Sequence, residues 1–525
     1  MVLAGKCTIF ETFKQIMDSS QEGDARALAD ELHSGNRDIV QVIQEYFAKS
    51  PIVVKSIDEV QEQELQSLGL CREYIAANFI DDWAQEQYMS RSSFQAERYQ
   101  YMLPKKQGSP PLYNTYVYAA LEHGVFRALC PLTGQILETS ASFPIFIEEK
   151  WAHIVFYHFK GRESFYIGTA GYPSLRSFIY LPRFNLVIVS PLHFALGYAR
   201  DHVYFAIAEL YRKFVLFTEL TIDYLSKQSR HLALLYGLQT NLGHFLTNEY
   251  SGFHRIVTTG LYRRVKTILI YKNKKIPLEQ LFGEFAAADF LSCDSQDQLF
   301  ETCMYHGLFV IYPCASHLSA EAAFRVQLTA GKYATESQKR IIAGCTADPL
   351  IFINLRKHNK SWQEQVDGII HLAQALKQLY PEVGILLDGL SDCREDAELI
   401  KSTLQDEVAV YNGVDISLMD SIYWAGRADA YLCVIGSGLV LLTCIANKPG
   451  IVHSEYIHMG QVLPGGYWSG LRNDIFPPVL VPKNEIAVLP EVSQHLPAMY
   501  KNYSMDWRSL YYRLIKLLYP PPGRN

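Results

Sequence analysis

The stretch that decides the fold is ADAYLCVIGSGLVLLTCIANKPGIVH, Ala428 to His453. An apolar run, Ala430 to Ile435, ends at the turn Gly436-Ser437-Gly438, a helical pattern follows to Asn447, and a second apolar run begins at Ile451. Strand, glycine turn, helix and strand in that order form one crossover unit of a parallel sheet. The same rhythm extends upstream. Leu350 to Asn354, Gly384 to Leu387 and Val408 to Tyr411 read as strands, and Trp362 to Leu379, Asp396 to Leu404 and Ser417 to Ala428 as helices. Val366, Ile369, Ile370, Ala373 and Leu376 share one face of the first helix, and Ser417 with Asp420 carries a capping-box signature at the start of the third. The fold class is therefore α/β, with a doubly wound, Rossmann-like lobe in this part of the chain.

Outward from that lobe the pattern changes. Thr115 to Tyr118, His153 to Phe159, Ser164 to Ile167 and Leu186 to Val189 are rich in β-branched and aromatic residues, which predicts a β-rich subdomain. Asp201 to Leu235 reads as a buried helical stretch, with a membrane-lying helix as its rival. Phe10 to Glu97 reads as helical, with Ile39, Val42, Ile43 and Phe47 at helical spacing, and KKQGSPP at Lys105 to Pro111 is a break of the kind that separates domains. The expected organisation is an α-helical region over 1–105, a lobe with a β-rich start over 112–345, the Rossmann-like lobe over 346–500, and a C-terminal piece over 501–525 containing a helix from Trp507 to Leu518.

A length of 525 residues agrees with two or three domains, and 49% hydrophobic against 19% charged residues excludes wholesale disorder. The net charge of −6 lacks the basic excess that a phosphate-backbone binder needs, so nucleic acid is excluded as the main partner. Ten cysteines include no C-x-x-C pair, which points to reduced, buried thiols rather than a zinc clamp or dithiol chemistry. With no signal-peptide pattern and no long charge-free apolar run, the expectation is a soluble, cytoplasmic protein, with attachment to the inner face of a membrane left open.

Three groups of residues can carry chemistry. Gly436, Ser437 and Gly438 end an apolar strand and open a helix, where amides and the positive helix end suit an anion and glycine admits close approach. The alternative is a turn needed only for tight packing. Asn354 to Trp362, NLRKHNKSW, follows the first strand of the same lobe, so Arg356 and Lys360 reach the edge where doubly wound sheets bind ligands; they are candidate diphosphate partners, or else members of a solvated basic turn. GHFLTNE, from Gly243, puts His244 and Asn248 four residues apart beside Glu249, and a histidine near an acid can act as a general base, a structural histidine being the alternative. There is no D-x-D, no Walker loop, no H-E-x-x-H and no G-x-S-x-G. No metal site and no bound cofactor is therefore expected.

The stretch Phe352 to Ser454 resembles the donor-binding half of glycosyltransferases with the GT-B architecture. NLRKHNKSW is similar to the basic-Trp segment of bacterial heptosyltransferases. Ala428 to His453 resembles their strand-turn-helix element and also the H-G-A-G-L element of the family that contains plant xylan-decorating transferases. That family carries a G-H-F motif in its N-terminal half, as Gly243-His244-Phe245 does here. Where those families often have His or Asp before the glycine turn, this chain has Val434 and Ile435.

The resemblance implies two Rossmann-like lobes, an acceptor on the first and a nucleotide-sugar on the second, with the last helix crossing back to the first lobe. It further implies metal-independent, inverting transfer to a hydroxyl acceptor in cell-surface glycan or polysaccharide synthesis. His244 or Glu249 would act as base, Asn248 would contact the acceptor, and Arg356, Lys360, Gly436, Ser437 and Gly438 would hold the diphosphate. The acceptor class, whether glycan, lipid-linked or protein, stays open, as does the oligomeric state. Two other readings stand beside it: a hydrolysing nucleotide-sugar epimerase, and a saccharide-binding or scaffold protein that keeps the fold without turnover.

Overall fold

A computed structural model of the protein describes residues 51–79, 116–147, 152–170, 175–190, 200–272, 276–315, 317–455, 472, 474–489 and 501–518. The Ile39 to Phe47 face and the KKQGSPP break lie outside them. The described residues fall into two compact units interleaved along the chain. The first draws on 1–238, 252–274 and 282–315, and the second on 239–251, 275–281 and 316–525.

In the first unit, β1 (Val53–Ser56) is followed by a hairpin of β2 (Phe126–Leu129) and β3 (Ile136–Thr139). Then come β4 (Ser142–Ile147), β5 (Ala152–Lys160), β6 (Ser164–Ala170), β7 (Leu175–Leu181) and β8 (Leu186–Val189). These form a sheet of order β1-β8-β7-β6-β5-β4, antiparallel except where β1 runs parallel to β8. A second sheet of this unit is built from β9 (His231–Tyr236), β10 (Thr267–Tyr271), β11 (Asp289–Cys293) and β12 (Leu308–Ile311). All its pairs are parallel, in the order β11-β10-β9-β12, which is one half of a doubly wound sheet. The two sheets are stitched together at β4 and β12. The Val310 amide donates to Ser142 Oγ at 2.7 Å, and the buried Tyr224 hydroxyl accepts from the Ser142 amide and donates to the Leu308 carbonyl.

Three local expectations are corrected here. Of the run Thr115 to Tyr118, the described part from Tyr116 is not a strand, because Tyr116–His123 is a helix that buries Tyr116, Val117, Ala120 and Leu121 at helical spacing. The helical stretch from Asp201 stops at Ser226, as the helices Arg200–Leu216 and Thr218–Ser226, and His231–Tyr236 is a strand. A short, wholly apolar run has no period of its own, and pairing on both edges made it β. In the N-terminal region, Val53–Ser56 is a strand, and the described helices there are Glu62–Ser67 and Arg72–Ala77.

The second unit contains the lobe that the opening stretch predicts. Its strands are β13 (Leu350–Asn354), β14 (Gly384–Gly389), β15 (Ala409–Val414), β16 (Ala430–Val434), β17 (Gly450–His453) and β18 (Val479–Leu480). All pairs are parallel, in the order β15-β14-β13-β16-β17-β18. Counted along the chain this is 3-2-1-4-5-6, the Rossmann order, and it reverses direction between β13 and β16. Ile369, Leu372, Ala373 and Leu376 of helix Gln365–Leu379 fill the core, as their spacing predicts. Trp507–Leu518 is a helix as expected, but its apolar face is buried within the second unit, where the resemblance would send it to the first. Leu510 and Leu514 enter the second unit's core, and Trp507 stacks on His371, because the amphipathic face finds an apolar partner close by. A last antiparallel pair joins β19 (Ala487–Val488) to β20 (Tyr503–Ser504).

Ser417 caps helix Leu418–Arg427 by accepting from the Asp420 amide. The Asp420 carboxylate accepts from the Ser417 hydroxyl at 2.7 Å, and from the Thr335 amide and hydroxyl at 2.7 and 3.1 Å. At 2% exposure it fastens the start of helix Glu336–Ala343 to this lobe. Asp420→Ala leaves those donors unpaired. The expected cost is about 3 kcal/mol, a fall of roughly 6–12 °C in melting temperature by calorimetry; an unchanged transition would show that the bridge contributes nothing.

Candidate functional site

The carboxyl edge of the six-stranded sheet at its point of reversal collects the residues that chemistry would need. After β13 the chain turns through Arg356, whose amide donates to Gln365 Oε1 at 2.9 Å and whose carbonyl accepts from Ser361 Oγ. The Arg356 guanidinium is half-buried. Among the described residues it makes one side-chain hydrogen bond, Nη1 to Asn359 Oδ1 at 3.1 Å, and no ion pair, so most of its five N–H donors are uncommitted. It lies over the glycine turn, where a Cβ at position 436 would collide with Nη2. Gly436 has extended backbone that any residue can adopt, so the need for glycine here is room for this cation.

Lys360 belongs to the same loop and is only 7% exposed. Its φ of 50° is in the left-handed region, which a non-glycine residue occupies at a cost. Its ammonium donates to the Ile435 carbonyl at 3.4 Å, directly before the turn. Burial, and next the adjacent Arg356 charge, push its pKa down to about 8, with the buried Glu455 carboxylate opposing. The neighbouring cations differ. Lys357 pairs with Glu395 and Asp396 on the surface, and His358 is 73% exposed, so the solvated-turn reading describes those two residues but not Arg356 or Lys360.

Gly436 leads into helix Ser437–Val440, which runs on into a π-helical segment, Leu441–Ile445. Its first-turn amides lack helical partners and its positive end starts at Gly436, beside Arg356. Beside Gly438 stands Asn354, the last residue of β13, whose Nδ2 donates to Asp388 Oδ2 at 3.3 Å. Ser421 Oγ donates to the other oxygen at 3.0 Å. Desolvation nevertheless pushes the Asp388 carboxyl up to about 6.

The cation loop is fastened from below. Ser361 donates from its amide to Asn502 Oδ1, Tyr503 from its amide to the Ser361 carbonyl, and Trp362 from Nε1 to the Met505 carbonyl. Tyr503 Oη lies 2.7 Å from Nδ1 of buried His453, whose pKa burial lowers to about 3. That histidine is neutral and structural.

The third group is here too. Residues 239–251 belong to the second unit although they lie far upstream of its sheet. Asn241 caps the short helix Leu242–His244 by accepting from the Gly243 and His244 amides, and a π-helical segment, Phe245–Tyr250, follows. This helix packs on the glycine-turn helix. A Cβ on Gly243 would stand 3.7 Å from Ser437 Cα and 3.4 Å from a Val440 methyl. The half-buried His244 has Nδ1 3.1 Å from Asn248 Oδ1, and burial lowers its pKa, so it is neutral near pH 7.

Asn248 and Glu249 are not where an acceptor or a base would use them. Asn248 is 1% exposed and bonded to His244, which removes it from acceptor contact. Glu249 is fully buried, and its Oε2 accepts from the Gln239 amide at 3.1 Å, which closes the arch of this segment. Of the two base candidates, His244 is the one with solvent access. The residues that sequence reading did not single out are Asn354, Asn359, Asp388, Glu455 and Tyr503. For Asn354 and Asp388 a signal existed, since both are polar residues that directly follow an apolar run of a strand, and they pair in register.

Among the described residues no three His, Cys, Asp or Glu side chains gather as a metal-binding group, and no helix is long and apolar enough to cross a membrane. The site defines the class: a two-unit α/β protein with a cation and glycine cradle at the reversal point of a Rossmann sheet. No protein-family model and no curated protein matches the chain. Solved structures similar to it include a family 9 glycosyl transferase from Veillonella parvula, at 10% identity over 44% of this chain and 81% of that one, with a TM-score of 0.29. The E. coli heptosyltransferase WaaC with ADP is 12% identical over 55% and 99%, with a TM-score of 0.27. UDP-GlcNAc 2-epimerase from Methanocaldococcus jannaschii is 10% identical over 55% and 99%, also at 0.27. Scores of this size carry neither fold nor function, which rest on the strand order and the site residues.

Lys360 supplies a stability test. Its pKa near 8 is below the unfolded value of 10.5, so the charged form is penalised in the fold below pH 8 and the penalty is relieved as pH rises from 8 to 10.5. Lys360→Met is expected to stabilise the protein at pH 7 by roughly 2–3 kcal/mol, and that advantage is expected to shrink toward pH 10 in parallel denaturant titrations. An advantage independent of pH would contradict the buried-charge assignment.

Proposed function

We propose that this protein is a glycosyltransferase that moves a sugar from a nucleotide-sugar donor to a hydroxyl acceptor, with inversion and with cations and helix amides in place of a metal. The observation that carries the reading is the convergence of Arg356 and Lys360, with no carboxylate on Arg356 among the described residues, upon a glycine turn at the reversal point of the sheet. Two adjacent cations repel, and an anion between them relieves that repulsion. A diphosphate fits this position by charge, by the Arg fork and by the helix end.

In this reading the acceptor hydroxyl gives its proton to His244, and its oxygen attacks the anomeric carbon. The bond from that carbon to the phosphate oxygen breaks, and its electron pair leaves on the diphosphate. Arg356, Lys360 and the turn from Gly436 to Gly438 then stabilise the charge as it grows. His244 is suited to the base role because it is neutral and its helix lies on the turn. Glu249, sealed from solvent, is not available as a nucleophile, which favours a single displacement and therefore inversion.

Calorimetric titration with nucleoside diphosphates in chelator tests the donor site. Arg356→Ala is expected to weaken binding by about 10–100-fold. Gly436→Ala should do the same while shifting stability by less than about 1 kcal/mol, since its methyl displaces the flexible end of Arg356 rather than backbone. Affinity should fall as pH rises through about 8, where Lys360 loses its proton. Absence of binding by every diphosphate would overturn the reading. A sugar product altered without any acceptor would assign the epimerase reaction instead.

A further inference from the structure

The segment 239–251 encloses a side-chain hydrogen bond that the acceptor role expected for Asn248 does not explain. Asn248 is buried in the π-helical turn with its Oδ1 3.1 Å from His244 Nδ1. Thr247 Oγ1 donates to the Gly243 carbonyl at 2.9 Å and stands 3.3 Å from the same amide oxygen. An amide oxygen only accepts, so the histidine nitrogen facing it must carry the proton, and the lone pair is on Nε2. An unconstrained neutral imidazole in water favours the opposite tautomer, so the choice is imposed by the fold.

We propose that Asn248 is a positioning residue that fixes His244 in the Nδ1–H form and thereby makes Nε2 the proton acceptor. The role of that acceptor in sugar transfer rests on the function proposed above; the tautomer does not. The Nδ1–H donation to Asn248 persists when Nε2 takes the proton from the acceptor hydroxyl, so one hydrogen bond serves both the neutral base and the imidazolium it becomes. The groups set against His244 agree with this. Asn241 caps its helix, Ser437 and Val440 pack on that helix from the glycine-turn side, and burial and the Asn248 bond are the causes of its shifted pKa, with no charged side chain among them. A neutral partner is what the chemistry requires. A carboxylate at position 248 would hold the ring protonated and leave no base near pH 7.

The experiment is nitrogen NMR of the full chain labelled with ¹⁵N-histidine, the His244 signals being assigned by their loss in His244→Gln. The expected wild-type pattern is a protonated Nδ1 and an unprotonated Nε2. Asn248→Ala should shift the ring toward the Nε2–H form and lower kcat by about 100-fold with KM for the donor little changed. Asn248→Asp should keep the tautomer and move the acidic limb of the rate profile upward by about one pH unit or more. A wild-type ring protonated on Nε2, or an Asn248→Ala ring with unchanged tautomer, overturns the proposal, and the wild-type spectrum is decisive even if a variant fails to fold. The assigned tautomer in a protein that binds no nucleoside diphosphate would support the positioning role while overturning the transferase reading.

Discussion

Two cations held side by side are a liability unless something anionic is meant to join them. Arg356 and Lys360 share one loop, and each lies against the turn that ends at Gly438, so the fold bears an electrostatic cost at the carboxyl edge of this sheet. The buried Glu455 offsets part of that cost for Lys360. Much of the second unit serves to hold this arrangement. The Asn502 side chain, the Tyr503 backbone and the Met505 carbonyl clamp the loop by hydrogen bonds, and His453 anchors Tyr503 from inside the sheet. Functional sites commonly retain strain of this sort at the expense of stability, and here it has a named cause, the burial of an ammonium beside a guanidinium.

The strand order explains why these residues meet. Strands β13 and β16 are neighbours in the sheet but far apart along the chain, and the connections leave them in opposite directions. In doubly wound sheets this is where ligands bind, and the loops after both strands belong to that edge. The glycine turn supplies amides and space from one side, and the cation loop supplies charge from the other.

The segment carrying His244 places a neutral imidazole beside the turn. It enters the second unit as a short excursion whose Glu249 and Gln239 close on each other, and whose helix lies on the helix that begins at the turn. Both helices contain π-helical stretches, Phe245–Tyr250 and Leu441–Ile445, a wide geometry found often at functional positions. In the first of them this register directs Asn248 inward to the imidazole. A neutral histidine, two cations and a glycine turn are thus brought together within one unit.

The sequence by itself determined the α/β class and five of the six strands of the parallel lobe, the short edge strand Val479–Leu480 having no pattern of its own, and it picked out the two loops that follow the first and fourth strands. Periodicity and glycine placement are local properties, and Leu350–Asn354 and Trp507–Leu518 have the limits that the pattern predicts. It did not determine His231–Tyr236 or the destination of the last helix, because an apolar run or face is compatible with several partners until packing selects one. Nor could spacing distinguish the buried Lys360 from the surface-paired Lys357 and the exposed His358, or the half-buried His244 from the sealed Glu249. Desolvation, like-charge proximity and the direction of a hydrogen bond depend on distances through space. The tertiary structure alone decided which cations face the turn, and that a histidine far upstream in the chain belongs beside it.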